Sequence, residues 1–71
     1  MTDTEVCIVL DRMHRALRSG ERWAVQRFQP NGEWDMVDNW NGGRRSLLQW
    51  CANHDVHPGR EAEAILATMP E

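Results

Sequence analysis

Lysine and tyrosine are missing from this chain, and phenylalanine occurs once. All eight basic residues are therefore Arg. Arg, Ala, Gly and Trp codons are GC-rich, whereas Lys and Tyr codons are AT-rich. The composition thus reads as that of a high-GC bacterial gene, or of a phage or plasmid of such a host. Cysteine is scarce too: Cys7 and Cys51 set no disulfide framework, and reduced thiols in a cytoplasmic setting are the expectation. No long apolar run is present, and Met1-Thr2-Asp3-Thr4-Glu5 lacks a basic n-region. Neither a signal peptide nor a membrane span is expected. Positive charge is not in excess, since the formal net charge is −3. That balance weighs against general nucleic-acid or anionic-membrane binding, which favours basic surfaces.

The catalytic signatures are missing as well. There is no Gly-rich phosphate loop, no nucleophile elbow and no zinc-protease motif. No enzymatic activity and no cofactor are expected. The length of 71 residues suits one compact domain over 1–71, and a chain this short buries only about 60% of its unfolded surface. What the chain does have is tryptophan, four in all. Tryptophan is favoured both in cores and at binding hot spots.

Residues 3–19 read as a helix. Thr2 and Glu5 fit a capping box. Val6, Val9, Leu10, Met13, Ala16 and Leu17 share one face at about 100° per residue. Arg12, Arg15 and Arg18 share the opposite face, and Gly20 fits a C-cap. The β-prone run Val6-Cys7-Ile8-Val9-Leu10 is the competing reading, a strand. Residues 22–29 and 33–40 read as a β-hairpin around Pro30-Asn31-Gly32, a turn ending in a G1 bulge. That loop pairs Gln29 with Glu33. That fixes the register as Phe28–Trp34, Gln26–Met36 and Arg22–Trp40, with Arg27–Asp35, Val25–Val37 and Trp23–Asn39 on the other face. One face then carries Phe28, Trp34, Met36 and Trp40, and the other Trp23, Val25 and Val37. A hairpin needs covering, and a face left open is an apolar patch suited to a partner. After Asn41-Gly42-Gly43, residues 44–54 read as a helix with Leu47, Leu48 and Cys51 on its apolar face and Trp50 at its flank. Residues 60–69 read as a short last helix with Ala62, Ile65, Leu66 and Met69 inward. The expected fold is α+β in the order α-β-β-α-α, helices packed on an antiparallel hairpin.

The candidate sites each meet a plainer explanation. Cys51, His54 and His57 form a C-x2-H-x2-H run of zinc-ligating types, but a structural zinc site usually needs a second ligand cluster, and Cys51 falls mid-face where a small hydrophobe belongs. No metal is expected. Asn41-Gly42-Gly43-Arg44-Arg45 resembles an anion-binding helix start, but the same residues make an ordinary strand-to-helix turn, and that is the favoured reading. Asp35 and Asp38 are expected on opposite faces, so not as an acid/base couple; Asp35 pairs Arg27, while Asp38 and Glu33 are solvated. The pair of helices over 44–69 has a helix-turn-helix outline, but its second helix carries Glu61 and Glu63 beside Arg60, and carboxylates repel phosphates.

These residues point to a small non-enzymatic protein-interaction module. It would bind a protein partner, or itself, through a Trp-rich hairpin surface with Trp23, Trp40, Trp50, Arg22 and Arg27 as contact residues. Trp23 and Trp40 are the expected exposed anchors, with Trp34 and Phe28 in the core. A short acidic chain of this kind also suits a phage- or plasmid-borne inhibitor or regulator of a host protein. The alternative is a nucleic-acid-binding regulator using Arg12, Arg15 and Arg18, with Arg44 and Arg45, or the helix pair.

Overall fold

The computed structural model describes residues 5–69. They form an α+β fold in the order β1 (Val6–Val9), β2 (His14–Ser19), β3 (Arg22–Phe28), β4 (Trp34–Asn41), α1 (Arg44–Asn53) and α2 (Arg60–Ala67). The strands make one antiparallel meander in the order β1-β2-β3-β4. Both helices follow the sheet, so the expected order α-β-β-α-α is corrected to four strands and two helices. Helices α1 and α2 match the expected segments within two residues, and the hairpin β3–β4 stands where the sequence places it. Among the described residues no helix is long and apolar enough to cross a membrane.

The helix expected over 3–19 is instead the hairpin β1–β2. Its apolar residues fit both periods, but Ile8, Leu10 and Ala16 are the buried ones. Ile8 pairs with Ala16, and Ala16 with Val25, which makes a row across three strands. Alternation, not a helical stripe, therefore decides burial. Two turns enforce it. Asp11 Oδ1 accepts the backbone N–H groups of Met13 (2.8 Å) and His14 (2.7 Å) and so builds the β1–β2 bend. Gly20, at φ 59°, is the first of the two residues linking Ser19 to its partner Arg22. A tight hairpin of type II′ demands positive φ there. Gly20 is thus a hairpin residue, not a helix cap. Thr2 of the expected capping box lies outside the described residues.

The β3–β4 loop follows the sequence reading. Gln29 and Glu33 are joined (2.8 Å), Gly32 N–H donates to Gln29 O (2.9 Å), and Gly32 sits at φ 87°. The register holds through Phe28–Trp34, Arg27–Asp35 and Gln26–Met36, then breaks. Val25 pairs with Asp38, so Val37 is the extra residue of a β-bulge. Beyond it Trp23 pairs with Trp40 and Arg22 with Asn41. The expected Val25–Val37, Trp23–Asn39 and Arg22–Trp40 pairs are corrected accordingly.

Both helices cover one sheet face. The core joins Ile8, Leu10, Ala16, Trp23 and Val25 to Leu47, Trp50, Cys51, Val56, Ala62 and Leu66. Leu48 and Ile65, expected inward, are exposed. The link between helices is a Schellman-type stop: Asp55 takes φ 57°, and Val56 N–H donates to Cys51 O (2.9 Å). Val56 and Cys51 are both buried. Gly59 N–H donates to Leu10 O (3.1 Å) and ties this link to the end of β1.

Burial by itself would raise the Asp11 carboxyl. The N–H bonds from Met13 and His14, together with the His14 imidazole (Nδ1 to Oδ1, 3.0 Å), outweigh it and hold Asp11 below its ordinary 3.8. A depressed carboxyl stabilises the fold fully above its unfolded pKa, and that contribution is lost as pH falls through the lower folded value. Asp11→Asn is therefore expected to flatten the acid limb of the stability curve, and Asp11→Ala to cost about 1 kcal/mol at pH 7. Urea unfolding at a series of pH values checks both; an unchanged acid limb in Asp11→Asn contradicts the assignment.

Candidate functional site

The bulge sorts the aromatic residues. Trp23 is buried (0% exposed) beneath the helices, and its indole N–H donates to Gly43 O (3.0 Å). The expectation of Trp23 as an exposed anchor is corrected: it is the largest fully buried side chain of the core. Trp40 now lies on the same face as Trp23, half-buried against the core, and donates to Ser46 Oγ (2.9 Å). Trp50 is only 7% exposed and donates to Asp38 Oδ2 (2.9 Å). Each of these indoles is thus satisfied on the strand-to-helix connection or across the β4–α1 seam, as burial of an N–H requires.

The seam itself is aromatic. Trp40 and Trp50 lie nearly parallel, 6.1 Å apart, and His54 stacks on Trp50 at 4.1 Å. A shallow groove opens between Asp38, Trp40, Gln49 and Asn53. Asp38, expected to be solvated, is held by the Trp50 indole and by Asn39 N–H (2.9 Å). The bulge also puts Asp35 and Asp38 on one face, since their partners Arg27 and Val25 share a face. The expectation of opposite faces is corrected.

Among the described residues nothing covers the other sheet face. Phe28 and Trp34, expected in the core, stand on this face as an edge-to-face pair at 5.2 Å. Val9 and Met36 are 64% and 55% exposed. Arg15 crosses the face, its Nε donating to Gln26 Oε1 (2.7 Å) and its guanidinium lying 4.2 Å over the Trp34 ring. Arg22 flanks the patch and donates to Asn39 Oδ1. The strands hold two carboxylates, Asp35 and Asp38, and both lie on the helix-covered face. Val9, Arg15, Gln26 and Met36 form one row across the four strands, so Arg15 and Gln26 lie mid-face, Val9 lies on one edge strand, and Phe28, Trp34 and Met36 make the apolar patch at the β3–β4 end.

The expected basic stripe is dispersed by the change from helix to strands. Arg12 sits in the β1–β2 bend, Arg15 on the open face, and Arg18 on the covered face. Arg18 lies 4.6 Å over the Trp23 ring and donates to Gly42 O. Arg44 reaches the last carbonyls of α2 at Leu66 and Ala67 (3.5 and 3.4 Å), where a cation complements the helix end. Arg45 is exposed on α1, and Arg27 is exposed opposite Asp35.

Cys51, His54 and His57 are pulled into separate tasks. Cys51 is buried; His54 Nδ1 meets Trp50 O (2.9 Å); His57 meets Asp55 (3.0 Å) at the surface. Among the described residues no group of His, Cys, Asp and Glu is placed to hold a metal ion. Burial, and then the Asp11 carboxylate, push the Cys51 thiol up to about 11. That is the reverse of an activated nucleophile. Comparisons with protein-family models, with curated proteins and with solved structures find no match.

Two outcomes follow from this placement. Trp23→Ala is expected to cost about 3–5 kcal/mol, whereas Met36→Ala stays within about 0.5 kcal/mol; urea unfolding checks the contrast, and equal costs contradict it. A thiol reagent is expected to titrate Cys7 alone in the native protein and both cysteines in denaturant. The raised thiol favours the fold fully below pH 9, and this is lost as pH rises toward about 11. Rapid labelling of both thiols in the native state speaks against a sealed Cys51.

Proposed function

We propose that the protein is a non-enzymatic interaction module that binds a protein partner through the open face of its sheet. The observation that carries this reading is the one-sided covering of the sheet. Helices satisfy one face, while among the described residues no layer lies over Val9, Phe28, Trp34 and Met36 on the other. Phe28, Trp34 and Met36 are neighbours on β3 and β4 with Arg15 and Gln26 beside them, and apolar surface rimmed by polar groups is what protein interfaces use. The contact residues move accordingly: Arg22 remains, Arg15, Met36 and Val9 join it, and Trp23 and Arg27, both on the covered face, leave. Trp40 and Trp50 belong to the seam beside β4.

Several features support a binding role over catalysis. The one buried thiol is raised, His14 is engaged by Asp11, and His54 is stacked on Trp50. A protein partner also suits the open face better than a nucleic acid. Single strands bind by stacking bases on free aromatic faces, but Arg15 already occupies the Trp34 ring, and the aliphatic Val9 and Met36 offer no stacking platform. Dispersal of Arg12, Arg15 and Arg18 leaves no continuous track for phosphates. A reducing cytoplasmic setting, and a phage- or plasmid-borne protein acting on a host protein, fit the composition and the exposed Cys7 thiol.

The test is capture from the native host's lysate by tagged wild type, Met36→Glu and Ile65→Glu. Ile65 is exposed on α2, away from the open face. A protein retained after nuclease, lost with Met36→Glu and kept with Ile65→Glu is the expected result. Capture that vanishes with nuclease, or that is indifferent to Met36→Glu, overturns the reading. Sedimentation of the same variants shows whether the occupant is a second copy.

A further inference from the structure

The β4–α1 groove is distinct from the open sheet face, and its chemistry is more selective. Asp38, Trp40, Ser46, Gln49, Trp50 and Asn53 line an open depression of about 300 Å3. One wall is the parallel pair of indoles, 15° between planes, with half-buried Trp40 the more accessible ring. Both indole N–H groups and the serine hydroxyl of the wall are already engaged, and the two amides are engaged in part. Trp40 bonds Ser46, Ser46 bonds Gly43 O (2.6 Å), Trp50 bonds Asp38, and Gln49 bonds Asn53 (3.0 Å). What remains for a guest is ring surface, the carboxylate and the amide groups left over at the rim, of which Gln49 Oε1 is a further acceptor for a cation. Asp38 is the only charged residue of the six, and it accepts one bond on each oxygen. A carboxylate has about four acceptor sites, so it retains capacity for a cation.

We propose that this groove receives the guanidinium of an Arg side chain from a protein partner. An aromatic face beside a lone carboxylate attracts positive charge through both the ring quadrupole and Coulomb attraction. A guanidinium fits better than an ammonium, because it is planar, weakly hydrated, stacks on indole and bonds carboxylate with two parallel N–H groups. The fold already uses this contact internally, with Arg15 over Trp34 and Arg18 over Trp23. The groove is shallow, so a side chain delivered by a larger interface suits it better than a free ligand. The source of the Arg rests on the protein-interaction reading; the chemistry of the groove does not.

The four indole N–H groups are separate reporters in a nitrogen–proton correlation spectrum. The probe is N-acetyl-arginine methylamide, with the uncharged N-acetyl-citrulline methylamide as its isostere. The arginine probe is expected to shift the Trp40 and Trp50 indole signals in a saturable way, with half-saturation in roughly the millimolar range, leaving Trp23 and Trp34 in place. Citrulline is expected to shift neither. Asp38→Asn keeps an acceptor for the Trp50 indole and is expected to weaken the arginine probe roughly threefold to tenfold. Equal response to citrulline, shifts at Trp34 instead, or no saturable shift overturns the proposal, and the citrulline comparison needs no variant. If the groove fails here while Met36→Glu still abolishes partner capture, the open-face reading stands by itself.

Discussion

One extra residue in β4 decides which aromatic side chains this protein buries. In a strand every side chain beyond an inserted residue changes face. The insertion at Val37 therefore turns Asp38 and Trp40 toward the helices while Trp34 and Met36 stay on the open side. Without it, Trp40 would sit opposite Arg22 on the open face, and Asp38 could not meet the Trp50 indole. The covered core, the aromatic seam and the open patch are three results of one local irregularity.

The core is thin, as a chain this short must have, and its large indoles are fixed by polar bonds as well as by packing. Trp23 donates to Gly43 at the start of α1, Trp40 to Ser46 in its first turn, and Trp50 from α1 back to Asp38 on β4. These contacts all join the sheet to α1 or to its approach. They fix the helix in position and orientation, which undirected apolar contact would leave looser. Arg44 does the same between the helices by reaching the terminal carbonyls of α2.

The charges are arranged around this frame. The acids of α2 and the two strand carboxylates lie away from the open face, and Arg15 and Arg22 lie on it. The strand residues of the open face include no carboxylate, so strand-on-strand pairing with an identical face gains no electrostatic complementarity from them. The β4–α1 groove has the opposite character, one carboxylate against indole rings. The molecule therefore offers two surfaces that ask for different chemistry.

Local signals in the sequence determined α1, α2, the α+β class and the loop of the β3–β4 hairpin. Pro30-Asn31-Gly32 suits that turn, and spacing placed Leu47, Cys51, Ala62 and Leu66 inward, while packing against the sheet turned Trp50 in and left Leu48 and Ile65 out. The first twenty residues were ambiguous because Val6, Val9, Leu10 and Ala16 fit a helical stripe as well as Val6, Ile8 and Leu10 fit a strand. The β-branched run and the Gly20-Glu21 pair were the legible hints of a hairpin, but which period wins depends on what covers the residues. Tertiary structure decided that, by aligning Ile8, Ala16 and Val25 across three strands under the helices. It also decided the bulge, because no residue at 37 announces one. The site residues went with it: the same four tryptophans and two carboxylates could be core or surface until the register past Val25 was fixed.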